Sequence, residues 1–266
     1  MANIITNINQ ACADLTNIKT AITDAGVTVA SGTPSSEYAS KIGEVYDSGY
    51  IEGFDIGEAL GKEEEYDKFW DAYQDGGNRT EYRQAFAGYG WKAEIFKPKH
   101  DMYVTYGYMM FMNSQISIDL PDTLGIILDF ANSTNLQYTF NTTKFTRIGV
   151  VDGRKAGQFA DTFGYSYYIQ TIDKIICDEN TTFTSNCFNS CRALTNIEFE
   201  GVIGSTINFQ WCPLTKASIT NVINALSSSV TGKTVTFKKS AKEAAFTAEE
   251  WATLIATKSN WTFSLV

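Results

Sequence analysis

Apolar positions at the start of the chain recur three and four residues apart. Met1, Ile8, Leu15 and Ile22 fill one place of a seven-residue repeat, and Ile4, Ala11 and Ile18 fill the other. That spacing predicts a coiled-coil helix, and isoleucine at both seam positions favours three strands over two. A short amphipathic helix packed on its own domain fits the same pattern; the intermolecular seam is the reading carried forward. Gly26 suits the position just past the end of such a helix. "ASGTPSS" (Ala30–Ser36) reads as a loop, in which Thr33 caps a second helix and Pro34 occupies its first turn. That helix carries Gly49, Gly53, Gly57 and Gly61, four residues apart and so on one face. Each glycine costs roughly 1 kcal/mol against alanine in a helix interior. The row therefore predicts a bare groove where a second backbone comes close, as small residues do between packed helices. "KEEEYDKFWDAYQD" (Lys62–Asp75) continues the helix with a solvated acidic face, and "GGNRT" (Gly76–Thr80) breaks it.

Beyond residue 100 the texture changes to short apolar runs separated by Asn, Ser, Thr and Gly. Phe188, Cys191, Leu194 and Ile197 repeat the spacing of Phe163, Ser166, Ile169 and Ile172, and Phe145 and Ile148 take the last two places of an earlier, less regular copy. The period is 24 to 25 residues, which lies in the range of leucine-rich repeats. Each unit supplies a strand ("TRIGVV", "IDKIIC", "NIEFEG") that cannot bury its apolar face alone. After the repeats, Ile219, Val222, Ile223 and Leu226 have helical spacing, and "KTVTF" alternates like a strand. "FTAEEW" combines a capping box (Thr247 with Glu250) and a hydrophobic staple (Phe246 with Trp251). "NWTFSLV" reads as a last strand, so this end is expected to close the repeats as a cap. The fold class expected is α+β. Residues 1–75 form a helical, coiled-coil-like trimerising region and 76–102 a junction. Residues 103–266 form a leucine-rich-repeat-like β-solenoid with a C-terminal helix and strand cap.

Charge and composition narrow the function. The formal net charge of -9 argues against general nucleic-acid binding, which needs clustered Lys and Arg. No run of apolar residues is long enough to insert in a membrane as a helix, and "MANIITNINQ" lacks the pattern of a secretory signal. Five cysteines without such a signal read as reduced thiols. His100 is the only histidine, which leaves little material for a catalytic triad or a histidine-rich metal site; it reads as a junction residue. Cys187 and Cys191 read as buried repeat positions, since their spacing and the lack of a second pair do not suit zinc. "DGRKAG" (Asp152–Gly157) reads as a tight turn. No catalytic residue, cofactor or metal ligand is assigned. In "FGYSYYIQ", Tyr165, Tyr167 and Tyr168 cannot all face inward, so at least one is expected at the surface, where it suits sugar or protein binding.

The repeat unit F-x-x-C/S-x-x-L-x-x-I, complete in Phe188–Ile197 and close in Phe163–Ile172, resembles the BspA-type leucine-rich-repeat family over about Tyr103–Thr215. "ITNIKTAITDAGVTVASGTPSSEYASKI" is similar to a segment of structural proteins of phages that infect Firmicutes. "EYDKFWDAYQDGGNRTEYRQAFAGYGW" resembles stretches that such phages and gut bacteria pair with BspA-type repeats. The resemblance implies adhesion and a non-enzymatic virion protein, assembled in the host cytoplasm. It would be a fibre or appendage whose repeat domain meets a host surface protein or glycan. A capsid-decorating head fibre and a bacterial surface adhesin are the alternatives. The partners expected are the chain itself as a homotrimer, through Ile4, Ile8, Ala11, Leu15, Ile18, Ile22 and the four glycines, and other virion proteins through the N-terminal region.

Overall fold

Seven phenylalanines, spaced unevenly along the chain, meet as a single column of rings. Phe86, Phe111, Phe140, Phe163, Phe188, Phe209 and Phe237 are each almost fully buried. Neighbouring centroids lie between 4.7 and 6.0 Å apart and the planes are close to parallel, down to 1° for Phe140 on Phe163. Stacking of this kind adds to the large apolar area that each ring removes from water. The computed structural model describes residues 70–89, 91, 96–120 and 125–266, and Trp70–Val266 form one compact unit.

The backbone around each ring explains the column. The residue two places before Phe86, Phe111, Phe140 and Phe163 has positive φ (Gln84, Met109, Tyr138, Asp161), and so does the residue two places after Phe111, Phe140, Phe163 and Phe188 (Asn113, Thr142, Tyr165, Ser190). The chain therefore turns sharply on both sides of the ring. Alternate N–H groups then point at the carbonyls of the next turn: Phe86 N–H to Met110, Phe111 to Thr139, Phe140 to Thr162 and Phe163 to Cys187. A backbone polar group buried without a partner is costly, and this pairing satisfies the turns without making them strands.

Between the turns run short strands, all paired in parallel. β1 (Met102–Tyr103) pairs with β2 (Leu128–Asp129); β3 (Arg147–Asp152), β5 (Thr171–Cys177) and β7 (Asn196–Gly201) form a three-stranded sheet; and β4 (Gln158–Phe159) pairs with β6 (Thr182–Phe183). In the three-stranded sheet Ile148 lies opposite Ile172 and Ile172 opposite Ile197, so the register follows the sequence repeat. The polar positions of that sheet pair across strands, with Arg147 Nε 2.7 Å from Asp173 Oδ1 and Lys174 Nζ 2.7 Å from Glu200 Oε2. β8 (Ile207–Phe209) leaves this sheet and joins β9 (Lys233–Phe237) and β10 (Trp261–Leu265). Helices α1 (Lys216–Ala225), α2 (Lys239–Ala245) and α3 (Ala248–Ala256) lie between these last strands in the chain. The capping box at Thr247 and Glu250 is formed, and Phe246 meets Trp251 at 5.7 Å.

The expected fold class is corrected. The described residues hold four small parallel sheets and four short helices, one of them the single 3-10 turn Asp75–Gly77. No coiled-coil helix is among them, and the strands do not join into the continuous sheet of a β-solenoid. The physical reason lies in the spacing: successive column phenylalanines are separated by anything from 21 to 29 residues. Units of unequal length cannot keep a long strand in one register, so pairing is restricted to two to seven residues and restarts in a new sheet. The proposed seam (Ile4, Ile8, Ala11, Leu15, Ile18, Ile22) and the glycine row (Gly49, Gly53, Gly57, Gly61) lie outside the described residues.

The stretch 76–102, read from sequence as a junction, contributes Tyr82, Phe86, Trp91 and Phe96 to the core. The helical turn ends at Tyr73, two residues short of the Asp75 read as its end, and Asp75, Gly76 and Gly77 all take positive φ (51°, 56° and 91°). Gln74, fully buried, ties this end together: its amide oxygen accepts from the Lys99 and His100 N–H groups, and its amide nitrogen donates to the His100 carbonyl.

Candidate functional site

Every column phenylalanine but Phe86 is followed three positions later by a small residue, and the role of three of these residues is visible in hydrogen bonding. Ser166 Oγ donates to the Phe140 carbonyl at 2.5 Å, Cys191 Sγ to that of Phe163 at 3.0 Å, and Cys212 Sγ to that of Phe188 at 3.7 Å. In each case the donor belongs to the unit after the phenylalanine it serves. Cys187 and Cys191 are thus structural, and all four described cysteines are buried free thiols. Burial pushes the Cys177 and Cys191 thiols up to about 12, and those of Cys187 and Cys212 well above the usual range. Nucleophilic or metal-binding thiols are tuned the other way. Among the described residues no group of three or more His, Cys, Asp or Glu is placed to hold a metal ion, and no helix is long and apolar enough to cross a membrane. His100 hydrogen-bonds through Nε2 to Asp71 Oδ1 at 2.6 Å, next to the Gln74 tie.

The outward side of the same turns is different in character. Tyr165, Tyr167 and Tyr168 are all exposed, at 42%, 46% and 51% of their surface, and Trp211 is exposed at 40%. The turn after Phe163 forces this arrangement. Tyr165 takes positive φ (60°) and Ser166 points inward to its hydrogen bond, which leaves the tyrosines on either side pointing out. A cation accompanies three of the four aromatic groups. The Arg192 guanidinium lies 5.8 Å from the Tyr167 ring and 5.2 Å from the Trp211 ring, and Lys144 Nζ lies 5.9 Å from the Tyr168 ring. Contacts at these distances are attractive through the ring quadrupole, and they hold Arg192 between two aromatic faces.

The strip is therefore built from four successive turns. Tyr167 and Arg192 stand four residues after Phe163 and Phe188, Lys144 four after Phe140, and Trp211 two after Phe209. The sequence reading found the tyrosines but not Lys144, Arg192 or Trp211. A signal is present for Arg192, because aligned units put Tyr167 and Arg192 in the same place, but it lies outside the apolar positions that define the repeat. Such a row of rigid aromatic groups with interleaved cations can stack on sugar rings or apolar side chains and donate hydrogen bonds beside them. Compared with models of protein families, with curated proteins and with solved structures, the chain matches none of them.

Proposed function

We propose that this chain is a non-enzymatic structural protein of a phage particle, a fibre or appendage whose exposed aromatic strip holds a glycan of the host surface. The observation that carries the binding half is the strip itself: four large exposed aromatic side chains on the turns after Phe163 and Phe209, with Arg192 from the turn between them lying over Tyr167 and Trp211. Exposed apolar groups gathered in one place, not scattered singly, mark interaction sites. The virion half rests on the resemblance of the N-terminal segments to phage structural proteins and of the Phe188–Ile197 unit to the BspA-type repeat. Deeply buried thiols with raised pKa support a structural role for the residues that came nearest to suggesting chemistry.

The test uses the full chain on an array of bacterial cell-wall and mucosal glycans. Binding to at least one glycan class is expected, weakened tenfold or more by Tyr167→Ala with Tyr168→Ala, a loss worth about 1.4 kcal/mol. No binding above an unrelated folded protein, or binding untouched by the double variant, would overturn the glycan assignment. Mass spectrometry of purified particles checks the other half: the chain should be present in stoichiometric amount.

A further inference from the structure

The aromatic strip ends at an open pocket whose charge is opposite to that of the chain. Trp211 and Arg192 form one side, and Lys238, Lys239, Ser240 and Glu243, from the end of β9 and from α2, form the other; the cavity is about 680 Å³. That is within the range of small-ligand sites. The chain as a whole carries a net charge of -9, yet the side chains of Arg192, Lys238 and Lys239 converge here against one acidic side chain, Glu243, with Val266 also on the wall and its carbonyl accepting from the Lys239 N–H. Glu243 is already engaged, with its Oε1 4.0 Å from Lys239 Nζ. Among the described residues neither Arg192 nor Lys238 has a carboxylate partner. The Arg192 guanidinium lies over two rings instead, and among the described residues its N–H groups make no side-chain hydrogen bond.

We infer that this pocket takes the anionic group of an acidic saccharide, held between Arg192 and Lys238 while a sugar ring lies on Trp211. The inference rests on the glycan reading of the strip and names its substrate class. A guanidinium offers a planar fork to a carboxylate or a phosphate, and an ammonium adds a point charge. Polar hydrogen-bonding groups are at hand in Gln210 and Ser240. Two sources share this chemistry: a sugar carboxylate, as in a uronic or sialic acid, and a phosphodiester, as in a polyol-phosphate wall polymer.

The experiment is titration calorimetry of the full chain with four probes: a sialylated oligosaccharide, its asialo counterpart, an oligogalacturonate and a glycosylated glycerol-phosphate oligomer. At least one acidic probe should bind tenfold or more tighter than the neutral one, and its affinity should fall as salt is raised. Arg192→Gln and Lys238→Gln should each remove most of that preference without changing the melting temperature, since Arg192 is exposed and Lys238 partly so. Preference for carboxylate over phosphate probes, or the reverse, identifies the source. If neutral and acidic probes bind equally, or if both variants keep the preference, the inference fails while the glycan reading stands. If none of the probes binds and the glycan array is also silent, both fail together. The salt dependence of the unaltered chain needs no variant, and affinity indifferent to salt also overturns the inference.

Discussion

The middle of the phenylalanine column and its two ends are built on different principles. Between Phe111 and Phe188 successive rings lie within 15° of parallel, and each turn hydrogen-bonds to the next. At the ends the geometry changes to edge-on contact. Trp91 and Phe96 meet Phe86 at 87° and 74°, and Trp251 meets Phe237 at 86°. A ring in the middle has a like neighbour on both faces, so parallel stacking repeats. A terminal ring has no next unit, and a perpendicular aromatic side chain covers its open face. The two ends then diverge: one is an aromatic cluster in loops tied by Gln74, and the other uses helices with their own caps. Stability in the middle is borrowed from neighbours, whereas the C-terminal end is locally encoded.

The sharpest way to break this comparison is to remove a central ring. Phe163 is fully buried between Phe140 and Phe188. Phe163→Ala should cost about 3–5 kcal/mol, the usual range for deleting a buried phenylalanine, read as a lower denaturation midpoint. Because the units depend on each other, the loss should be cooperative, with fluorescence and circular dichroism falling together. Two separated transitions would show that the units on either side fold independently.

A smaller effect is expected where a strand passes close to its neighbour. Gly201 ends β7 with φ of 102°, and a Cβ there would run into the Cys177 carbonyl. Gly201→Ala therefore combines backbone strain of about 1–3 kcal/mol with a forced shift of β7 from β5. Amide exchange should rise first in these two strands. Unchanged stability would mean that the approach of β7 to β5 is not set by this glycine.

These residues also show which features were legible from sequence. The three central strands were, because the isoleucine period of 24 to 25 residues and the regular F-x-x-C/S-x-x-L-x-x-I unit coincide there. At the C-terminal end α1, α3, β9 and β10 were too, since helical spacing, strand alternation and capping and staple signals act within a few residues, but α2, which has no side-chain cap, was not. Phe86 and Phe111 were not recognised as members of the column. Their units are of unequal length and pair through turns at Gln84, Met109 and Asn113, where positive φ at residues other than glycine leaves no simple mark in the sequence. Phe140 was hidden by one missing residue: Thr143 follows it by three places and meets Ser166 Oγ through its N–H at 3.1 Å, but Phe145 then comes one place early. The exposed strip was half legible, because a tyrosine triplet is conspicuous and a lone arginine or tryptophan is not.

Alkali should weaken the middle through its thiols. Cys177 and Cys191 have folded values near 12 because of burial, against an ordinary value of 9.0. A raised folded value means that the stabilisation is complete below the unfolded value and is lost as pH rises towards the folded one. The window is thus pH 9 to 12. At pH 9 the unfolded thiol is half ionised, and the loss is about 0.4 kcal/mol for each of the four buried thiols. Denaturant unfolding in reductant at pH 7, 8 and 9 should show a progressive fall, steeper than in a Cys177→Ala, Cys191→Ser variant. Identical slopes in the two proteins would place the alkaline sensitivity elsewhere.

The smallest effect belongs to the C-terminal end and tests whether it is locally encoded. Thr247 Oγ1 accepts from the Glu250 N–H at 3.1 Å, and Glu250 Oε2 accepts from the Thr247 N–H at 2.9 Å. Thr247→Ala removes one half of this reciprocal pair, at a cost of about 1 kcal/mol. Glu250 keeps a second anchor, its Oε1 lying 2.7 Å from Lys216 Nζ, so α3 should fray at its start and not detach. Amide exchange should quicken in α3 and at the Trp251 cover of Phe237, while β3, β5 and β7 keep their protection. If protection were lost equally along the column, the cap would be one more cooperative unit, and the distinction between a borrowed middle and a self-sufficient end would not hold.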